Sequence, residues 1–587
     1  MTESKLFDQD DSDALGQVSA VDTATVTVHV TDIDRLRRLQ VNRLVYLHSS
    51  RPGEHLIGIV HKIVRLARTV QDETGDESES RESGLQASDE DNTVKVTLIG
   101  THVAGYGDVN DSFSRTLETV PEIDACCFAI EGNDLSGFMQ IIASVGSEEQ
   151  RLELGVYTLD KNAYAYLNGD KFFQRHALIV GSTGAGKSWT VARIVEQVAL
   201  LTGANALLLD IHGEYSTLAG DSVTRYRIAG PNDLDTSGDS SQEVIYLPFW
   251  LLDHESLGAV FVDRSDQNAP NQRSLMSNIV LDAKLKYLFD HVDDERSTDI
   301  TIDSPIPFDL DAVLKRLEDL DHEMVEGARG QKQGPHFGRL TRLIERLGNK
   351  RNDRRMGFMF EGAPDVLQYD WLEELAIRLL GGAHVQSECS GGVKVIDFSE
   401  VPSDVLPLMV SLVARLAFSL QQWAPADQRH PIALFCDEAH LYMPNERQSG
   451  AVEATSNTVF ERIAKEGRKY GIGLVVISQR PSEVNRTVLS QCNNFVSMRL
   501  TNAEDQGVVR RLLPDSLGGF VGALPVLDTG EALVVGDASL LPTRIFVSEP
   551  EHKPRSATVD FWSEWSTPQS DGAIPAAVEN WRRQTQQ

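Results

Sequence analysis

Gly181-Ser-Thr-Gly-Ala-Gly186-Lys187-Ser188 is the stretch whose reading decides the fold. The apolar run His176-Ala-Leu-Ile-Val180 precedes it, and Trp189-Thr-Val-Ala-Arg-Ile-Val-Glu-Gln-Val-Ala-Leu200, with helical spacing, follows. A strand, a G-x-x-x-x-G-K-S turn and a helix in that order put free backbone N–H groups at a helix N-terminus, where they cradle phosphates. The expected nucleotide-binding residues are therefore Gly181, Ser182, Thr183, Gly184, Ala185, Gly186, Lys187 and Ser188. Lys187 is expected to reach the β- and γ-phosphates and Ser188 to bind Mg²⁺, so ATP and Mg²⁺ are the expected cofactors.

Working outward, a second buried strand, Ala206-Leu-Leu-Leu-Asp210, leads into Ile211-His-Gly-Glu-Tyr215. Later strands are predicted at Val393–Phe398, Ile432–Cys436 and Gly473–Ser478, then at Phe495–Leu500, Glu531–Val535 and Arg544–Val547. Strands alternating with helices predict an α/β fold with a parallel sheet. The predicted core is divided, its first part at 166–246 and its second at 393–550. Between them, 247–392 is dominated by helical patterns such as Leu310–Leu320 and reads as an inserted helical subdomain. A long helix is predicted from Ser403, with Ser403-Asp404 as its N-cap.

Upstream, residues 1–15 read as a disordered acidic N-terminus. Short alternating strands over 16–165 predict a small β-barrel. Within it, 72–91 holds nine acids and one arginine among Ser and Gly, a solvated loop insertion. The tail 551–587 is read as a C-terminal extension, its end flexible or swapped onto a neighbour.

The chain has 87 acidic and 55 basic residues, a net charge of −32, and only 15 of the basic residues are lysine. An acid-rich, lysine-poor composition spread along the chain resembles that of a halophile's cytoplasmic protein, a solubility adaptation. Global charge thus carries no argument against a nucleic-acid partner, which must meet locally basic surface. The most basic stretch, Arg339, Arg342, Arg346, Lys350, Arg351, Arg354 and Arg355, suits either a helix laced with ion pairs or contact with DNA or a neighbouring subunit. Five cysteines without a C-x-x-C pair suggest neither zinc nor a disulfide framework. The apolar stretch Val405–Leu420 contains Pro407 and Arg415, so no membrane span is expected; with no signal-peptide pattern, the expected location is cytoplasmic.

Phosphoryl transfer to water needs a cradle, a metal, a positioned water and positive charge on the γ-phosphate. Asp437, ending an apolar strand, is the expected second Mg²⁺ ligand, and Glu438 the residue that polarises the attacking water. Asp210 and Glu214 compete with Glu438 for that role. Gln479 is the expected γ-phosphate sensor, and His440 is read as structural or supporting. Arg468 is the preferred arginine to act on a neighbour's nucleotide, with Arg462 and Arg480 behind it. The expected catalytic set is thus Glu438, Lys187, Gln479 and Arg468.

Taken together, Gly181–Ser188, Asp210-Ile-His-Gly-Glu-Tyr215, Asp437-Glu-Ala-His440, Glu466-Gly-Arg-Lys-Tyr-Gly471 and Ser478-Gln-Arg-Pro481 resemble the HerA family, in the HerA/FtsK division of RecA-like P-loop ATPases. The resemblance covers about 16–550, with Ile211 where the family usually has Pro. It implies a RecA-like core behind an N-terminal barrel, a homohexameric ring hydrolysing ATP to move double-stranded DNA through its pore, and a NurA-type nuclease partner in end resection and repair. A conjugation or secretion-type protein-handling ATPase, a defence-system ATPase with another effector and a nucleotide-gated scaffold are the alternatives. A DEAH-box helicase is excluded, because Ser478-Gln-Arg-Pro replaces a Ser-Ala-Thr motif and no second RecA-like domain follows.

Overall fold

The computed structural model describes the chain except residues 1–5, 8, 23–24, 42, 68–89, 106–110, 144–150, 221, 235–242, 293–298, 328–329, 362–363, 382–391, 447–448, 514–520, 556–560, 567–572 and 585–587. The acidic insertion expected at 72–91 lies, up to residue 89, outside the described residues. By packing, the chain divides into two units: residues 1–170 with 531–548, and residues 171–530 with 549–587.

The first unit opens with β1 (Gly16–Asp22), β2 (Thr25–His29), β3 (Leu44–His48), β4 (Glu54–Ala67), β5 (Glu90–Val103), β6 (Ser112–Ser114) and β7 (Cys126–Ala129). They are ordered β2-β1-β7-β3-β4-β5, and β2 pairs again with β5, closing a six-stranded barrel with β6 outside β5. Closure leaves no open edge among the six. The period-2 pattern explains the interior: Val94, Val96 and Leu98 of β5 are buried, whereas Lys95 between them is exposed. They join Val26, Val28, Val45, Leu47, Leu56 and Val60 in one apolar core. The β4–β5 register shifts at Ile57/Gly58 and Val60/Lys62, where bulges bend the long strands. A Cβ on Gly58 would come within 2.3 Å of Val96 Cγ1, so this close approach requires glycine.

Next come β8 (Arg151–Tyr157) and β9 (Asp160–Asn168), an antiparallel hairpin. The strands Glu531–Gly536 and Thr543–Val547 pair with each other, and the second pairs antiparallel with β8. By packing, these two strands group with the first unit. Propensity identified them as strands but carried no information about a partner some 390 positions earlier in the chain.

The second unit holds β10 (Ala177–Val180), β11 (Ala206–Asp210), β12 (Val223–Ile228) and β13 (Val244–Ile245) before the helical insertion. Within the insertion is one exposed hairpin, β14 (Met324–Gly327) and β15 (Gly330–Gln333). After it come β16 (Val393–Asp397), β17 (Ile432–Cys436), β18 (Ile472–Ser478) and β19 (Asn494–Ser497). Their order is β13-β12-β16-β11-β17-β18-β10-β19, with every pair parallel. Central strands of such a sheet are covered on both faces, hence the wholly buried β10, β11, β17 and β18. Lys394 of β16 is the exception in composition. Its buried ammonium donates to Asn205 Oδ1 (3.2 Å) and the Gly381 carbonyl (2.5 Å), and burial lowers its pKa to about 8.

The insertion is built from helices, among them Ala269–His291, Leu310–Asp321 and Thr341–Arg351. Asp309 caps the second by accepting from the amides of Asp311 (2.9 Å) and Ala312 (3.2 Å), and Val313, Leu317 and Leu320 form its buried stripe. The basic stretch is largely engaged within the protein. Lys350 pairs with Asp404, Arg351 with Asp311 and Arg355 with Asp353, while Arg346 Nε donates to the Val260 carbonyl. Arg339 and Arg342 are exposed.

The helix predicted from Ser403 begins instead at Leu406 and runs to Trp423, with Val405 at its N-cap making no side-chain bond. The Asp404 carboxylate that would have capped it is held by Lys350. Among the described residues no helix is long and apolar enough to cross a membrane.

Candidate nucleotide site

Because the strands run parallel, their carboxyl ends meet at one edge, where open α/β sheets bind ligands. Val180 is in register with Ser478, Val476 with Cys436, Cys436 with Leu209, and Asp210 with Asp397. The residues that follow these positions therefore converge: the glycine-rich loop, Gln479, Asp437-Glu438 and the 211–215 turn.

The loop leaves β10 at Val180 and enters the helix Lys187–Ala199, with Gly184 (φ 73°) and Gly186 (φ 104°) in the left-handed region. A Cβ on Gly186 would meet Met498 Cε at 3.0 Å and the Gly530 Cα at 3.4 Å, so glycine is required there by space as well as conformation. The cradle is held from outside: Ser182 N–H donates to the Arg499 carbonyl (2.8 Å) and Gly530 N–H to the Ala185 carbonyl (3.0 Å). Thr183 and Gly184, at the crest, are exposed.

Lys187 is only 7% exposed and pairs with Glu438 Oε1, on a residue 2% exposed. Gln479 Nε2 donates to the same carboxylate oxygen (2.5 Å), while Thr183 Oγ1 donates to Gln479 Oε1 (2.6 Å). On the other side, His440 Nδ1 lies 3.3 Å from Glu438 Oε2 and 3.4 Å from Ser478 Oγ. Glu438 itself has φ 45° and ψ 45°, a left-handed conformation uncommon for a side-chain-bearing residue and concentrated at functional sites.

Burial raises the Glu438 pKa, but the Lys187 ammonium and the hydrogen bonds from Lys187 and Gln479 outweigh it, so the group lies below the usual carboxylate range and stays ionised. Asp437 behaves oppositely. Burial, opposed by Lys187 and reinforced by Glu438, Asp210 and Glu214, pushes it well up. Asp210 is likewise raised, to about 7, chiefly by burial, although it accepts from the amides of Tyr215 (2.9 Å) and Glu214 (3.1 Å). Ser188 Oγ donates to Glu214 Oε2 (2.8 Å).

Asp437 Oδ1 is buried with no hydrogen-bond partner. Around Asp437, the negative charges of Glu438, Asp210 and Glu214 are opposed by the one Lys187 ammonium, and its orphaned oxygen sits in that excess. An unpartnered carboxylate oxygen beside the cradle fits a hard divalent cation held by one or two carboxylates and a phosphate ligand.

The predicted residues do not all gather here. The loop, Lys187, Ser188, Asp437, Glu438 and Gln479 do. Arg468 does not: it precedes β18, whose 7 residues span about 20 Å at roughly 3.3 Å each, so it lies at the opposite edge of the sheet. Arg462 shares that side, stacked over Phe418 (4.9 Å) and paired with Glu466. Arg480 is at the near edge but pairs outward with Glu483 (2.8 Å). Tyr215 was missed as a site residue. It is buried, and its hydroxyl pKa is raised first by burial and then by Asp437, Asp210 and Glu214. Its position next to Glu214 in the Asp210–Tyr215 motif was the available signal.

A parallel sheet with a phosphate cradle, a buried lysine and tandem carboxylates at its carboxyl edge defines a RecA-like P-loop ATPase. Residues 152–417 match the family described as "Helicase HerA, central domain", and the chain carries a HerA-type helicase domain. The DNA double-strand break repair helicase HerA of Pyrococcus furiosus is 26% identical over 410 residues, 67% of this chain and 69% of that protein. The protein of the same name from Sulfolobus acidocaldarius is 25% identical over 424 residues, 69% and 71% of the two chains. Among solved structures, VirB4 of Thermoanaerobacter pseudethanolicus is similar at 14% identity and a TM-score of 0.46, over 68% of this chain and 97% of that one. The chain is accordingly an ATP-hydrolysing enzyme of the helicase class.

Proposed function

We propose that this enzyme couples ATP hydrolysis to movement along double-stranded DNA, as a homohexameric ring with DNA in its pore and a NurA-type nuclease as partner in end resection and repair. The observation that carries the motor reading is the convergence of Lys187, Gln479 and His440 on the Glu438 carboxylate, beside the phosphate cradle. DNA as the track is supported by the HerA-type domain and the relatives' names.

In this reading the loop amides and Lys187 bind and orient the phosphates. Glu438, kept ionised, accepts a proton from the attacking water. Lys187 and Gln479 hold its Oε1 by hydrogen bonds, and His440 stands 3.3 Å from Oε2. Asp437 and Ser188 would hold Mg²⁺, which would supply positive charge to neutralise the phosphates.

Charge on the γ-phosphate also calls for an arginine. Arg468, at the far edge of its own sheet, cannot reach its own cradle and is the arginine a neighbouring subunit would receive. Arg468→Ala is expected to lower turnover at least about tenfold, roughly 1.4 kcal/mol of barrier, while ATP binding is retained. Mixing this variant with Lys187→Ala protein should partly restore activity, since mixed interfaces pair an intact cradle with an intact arginine. No recovery in the mixture, with subunit exchange verified, would remove Arg468 from the role.

The test of the whole reading is the ATPase rate in molar KCl with and without linear duplex DNA, with mass in solution recorded in the same buffer. The expected result is DNA stimulation by a species about six times the chain mass. Stimulation by protein substrates and indifference to DNA would replace it with the protein-handling alternative.

A further inference from the structure

We infer that Thr183 is a positioning residue for hydrolysis: its hydroxyl anchors the far end of the Gln479 side chain, and through that amide the cradle loop fixes Glu438. The inference deepens the proposed mechanism and rests on Glu438 as the base.

The geometry is a chain of two hydrogen bonds through one side chain. Thr183 Oγ1 donates to Gln479 Oε1 at 2.6 Å, and Gln479 Nε2 donates to Glu438 Oε1 at 2.5 Å. An amide has an accepting end and a donating end, and the two are fixed relative to each other. The ionised Glu438 carboxylate only accepts, so Nε2 faces it, and Oε1 is left to accept from the Thr183 hydroxyl. Rotated by half a turn, the amide would set its oxygen against an ionised carboxylate that carries charge-assisted bonds. Glu438 alone favours the correct orientation, but Gln479 follows a strand on a half-exposed turn, where its side chain has other rotamers open. Thr183 removes that freedom from the far end.

The residues joined in this way are far apart in sequence, 296 positions between Thr183 and Gln479 and 41 between Gln479 and Glu438. Thr183 also belongs to the loop that meets the phosphates and precedes Gly184, whose φ of 73° bends the crest. Its hydroxyl therefore connects the element that binds nucleotide with the carboxylate that acts on water. Its role goes beyond packing: Thr183 is exposed and fills no core.

The test is a double-mutant cycle on the full-length protein, reading kcat and KM for ATP in wild type, Thr183→Val, Gln479→Ala and the double variant. Thr183→Val is expected to lower kcat about tenfold with KM changed less than about threefold, since a positioning defect weakens the transition state more than substrate binding. In the Gln479→Ala background the same change should have little further effect on kcat, because the residue it acts through is gone. Thr183→Ser, keeping the hydroxyl, should recover most of the lost rate. Unchanged kcat in Thr183→Val overturns the inference, as does an equal fall in both backgrounds or a defect confined to KM. If Thr183→Val fails to fold, Thr183→Ala takes its place in the cycle under the same criteria. Glu438→Gln measured alongside separates the two levels. Normal turnover there sinks the base assignment, whereas an inactive Glu438→Gln leaves the cycle to decide Thr183 alone.

Discussion

Lys187→Ala protein is expected to lose ATP turnover by about 10³-fold or more and to be less stable than the parent. Two separate effects combine. Removing a cation aimed at the developing phosphate charge costs on the order of 10²–10³ in rate, as for other preorganised electrostatic donors in water-excluded sites. Weaker ATP binding then adds to the loss at any fixed ATP concentration. The stability effect arises from Glu438, which lies buried against the Lys187 ammonium. Removing one partner of a buried pair leaves an uncompensated charge, a penalty of about 3–5 kcal/mol that protonation of the carboxylate would in part relieve. The protein with both Lys187→Ala and Glu438→Gln should therefore melt at a higher temperature than Lys187→Ala alone. Calorimetry without nucleotide and steady-state ATPase rates check the two halves separately. Wild-type turnover in Lys187→Ala would sink the site assignment.

Glu438→Gln is expected to bind ATP yet turn it over about 10²–10⁴-fold more slowly, the range associated with loss of a positioned general base. The substitution keeps the size of the side chain and one oxygen for Gln479 or His440, so the pocket stays filled while proton-accepting power is lost. Asp210 and Glu214 stand nearby, but each is otherwise committed. Asp210 accepts the amides of Glu214 and Tyr215, and Glu214 accepts the Ser188 hydroxyl. Burial also raises Asp210 to about 7, so near neutral pH a good part of it is protonated, whereas Glu438 stays ionised. ATP binding by equilibrium titration together with a single-turnover rate measures the separation. A Glu438→Gln protein with normal single-turnover chemistry would transfer the role to Asp210 or Glu214.

The same residues show how much was legible in the sequence. The cradle could be read from eight letters because its conformation is local. Glycine at positive φ, an apolar strand before it and a helix after it are neighbours in sequence, so spacing alone reports their geometry. Asp437-Glu438 and Gln479 were legible for a related reason. Each ends a wholly apolar strand, and in a parallel sheet a strand's carboxyl end lies at the ligand-binding edge whatever the strand order. The barrel was visible in the alternation of its strands, which is again a property of neighbouring residues.

What the sequence did not show shares one cause. Ser403-Asp404 looks like a helix cap, but the Asp404 carboxylate is taken by Lys350, 54 positions earlier, and the helix starts at Leu406. The strands Glu531–Gly536 and Thr543–Val547 were recognisable as strands, whereas the pairing of the second with β8 joins positions some 390 residues apart. The basic stretch was readable as charge, while its ion pairs with Asp311 and Asp404 depend on side chains from other segments.

By itself, then, the sequence determined the class of fold, the phosphate cradle, and which residue types stand at the sheet's carboxyl edge, because these follow from short-range sterics, strand alternation and helix capping. Only the tertiary structure decided that Lys187, Gln479 and His440 close on one carboxylate, that Thr183 reaches Gln479 and that Arg468 lies at the far edge of its own sheet. Those contacts join positions as many as 296 residues apart, and only the packing of the β10, β17 and β18 strands side by side brings them within hydrogen-bonding distance.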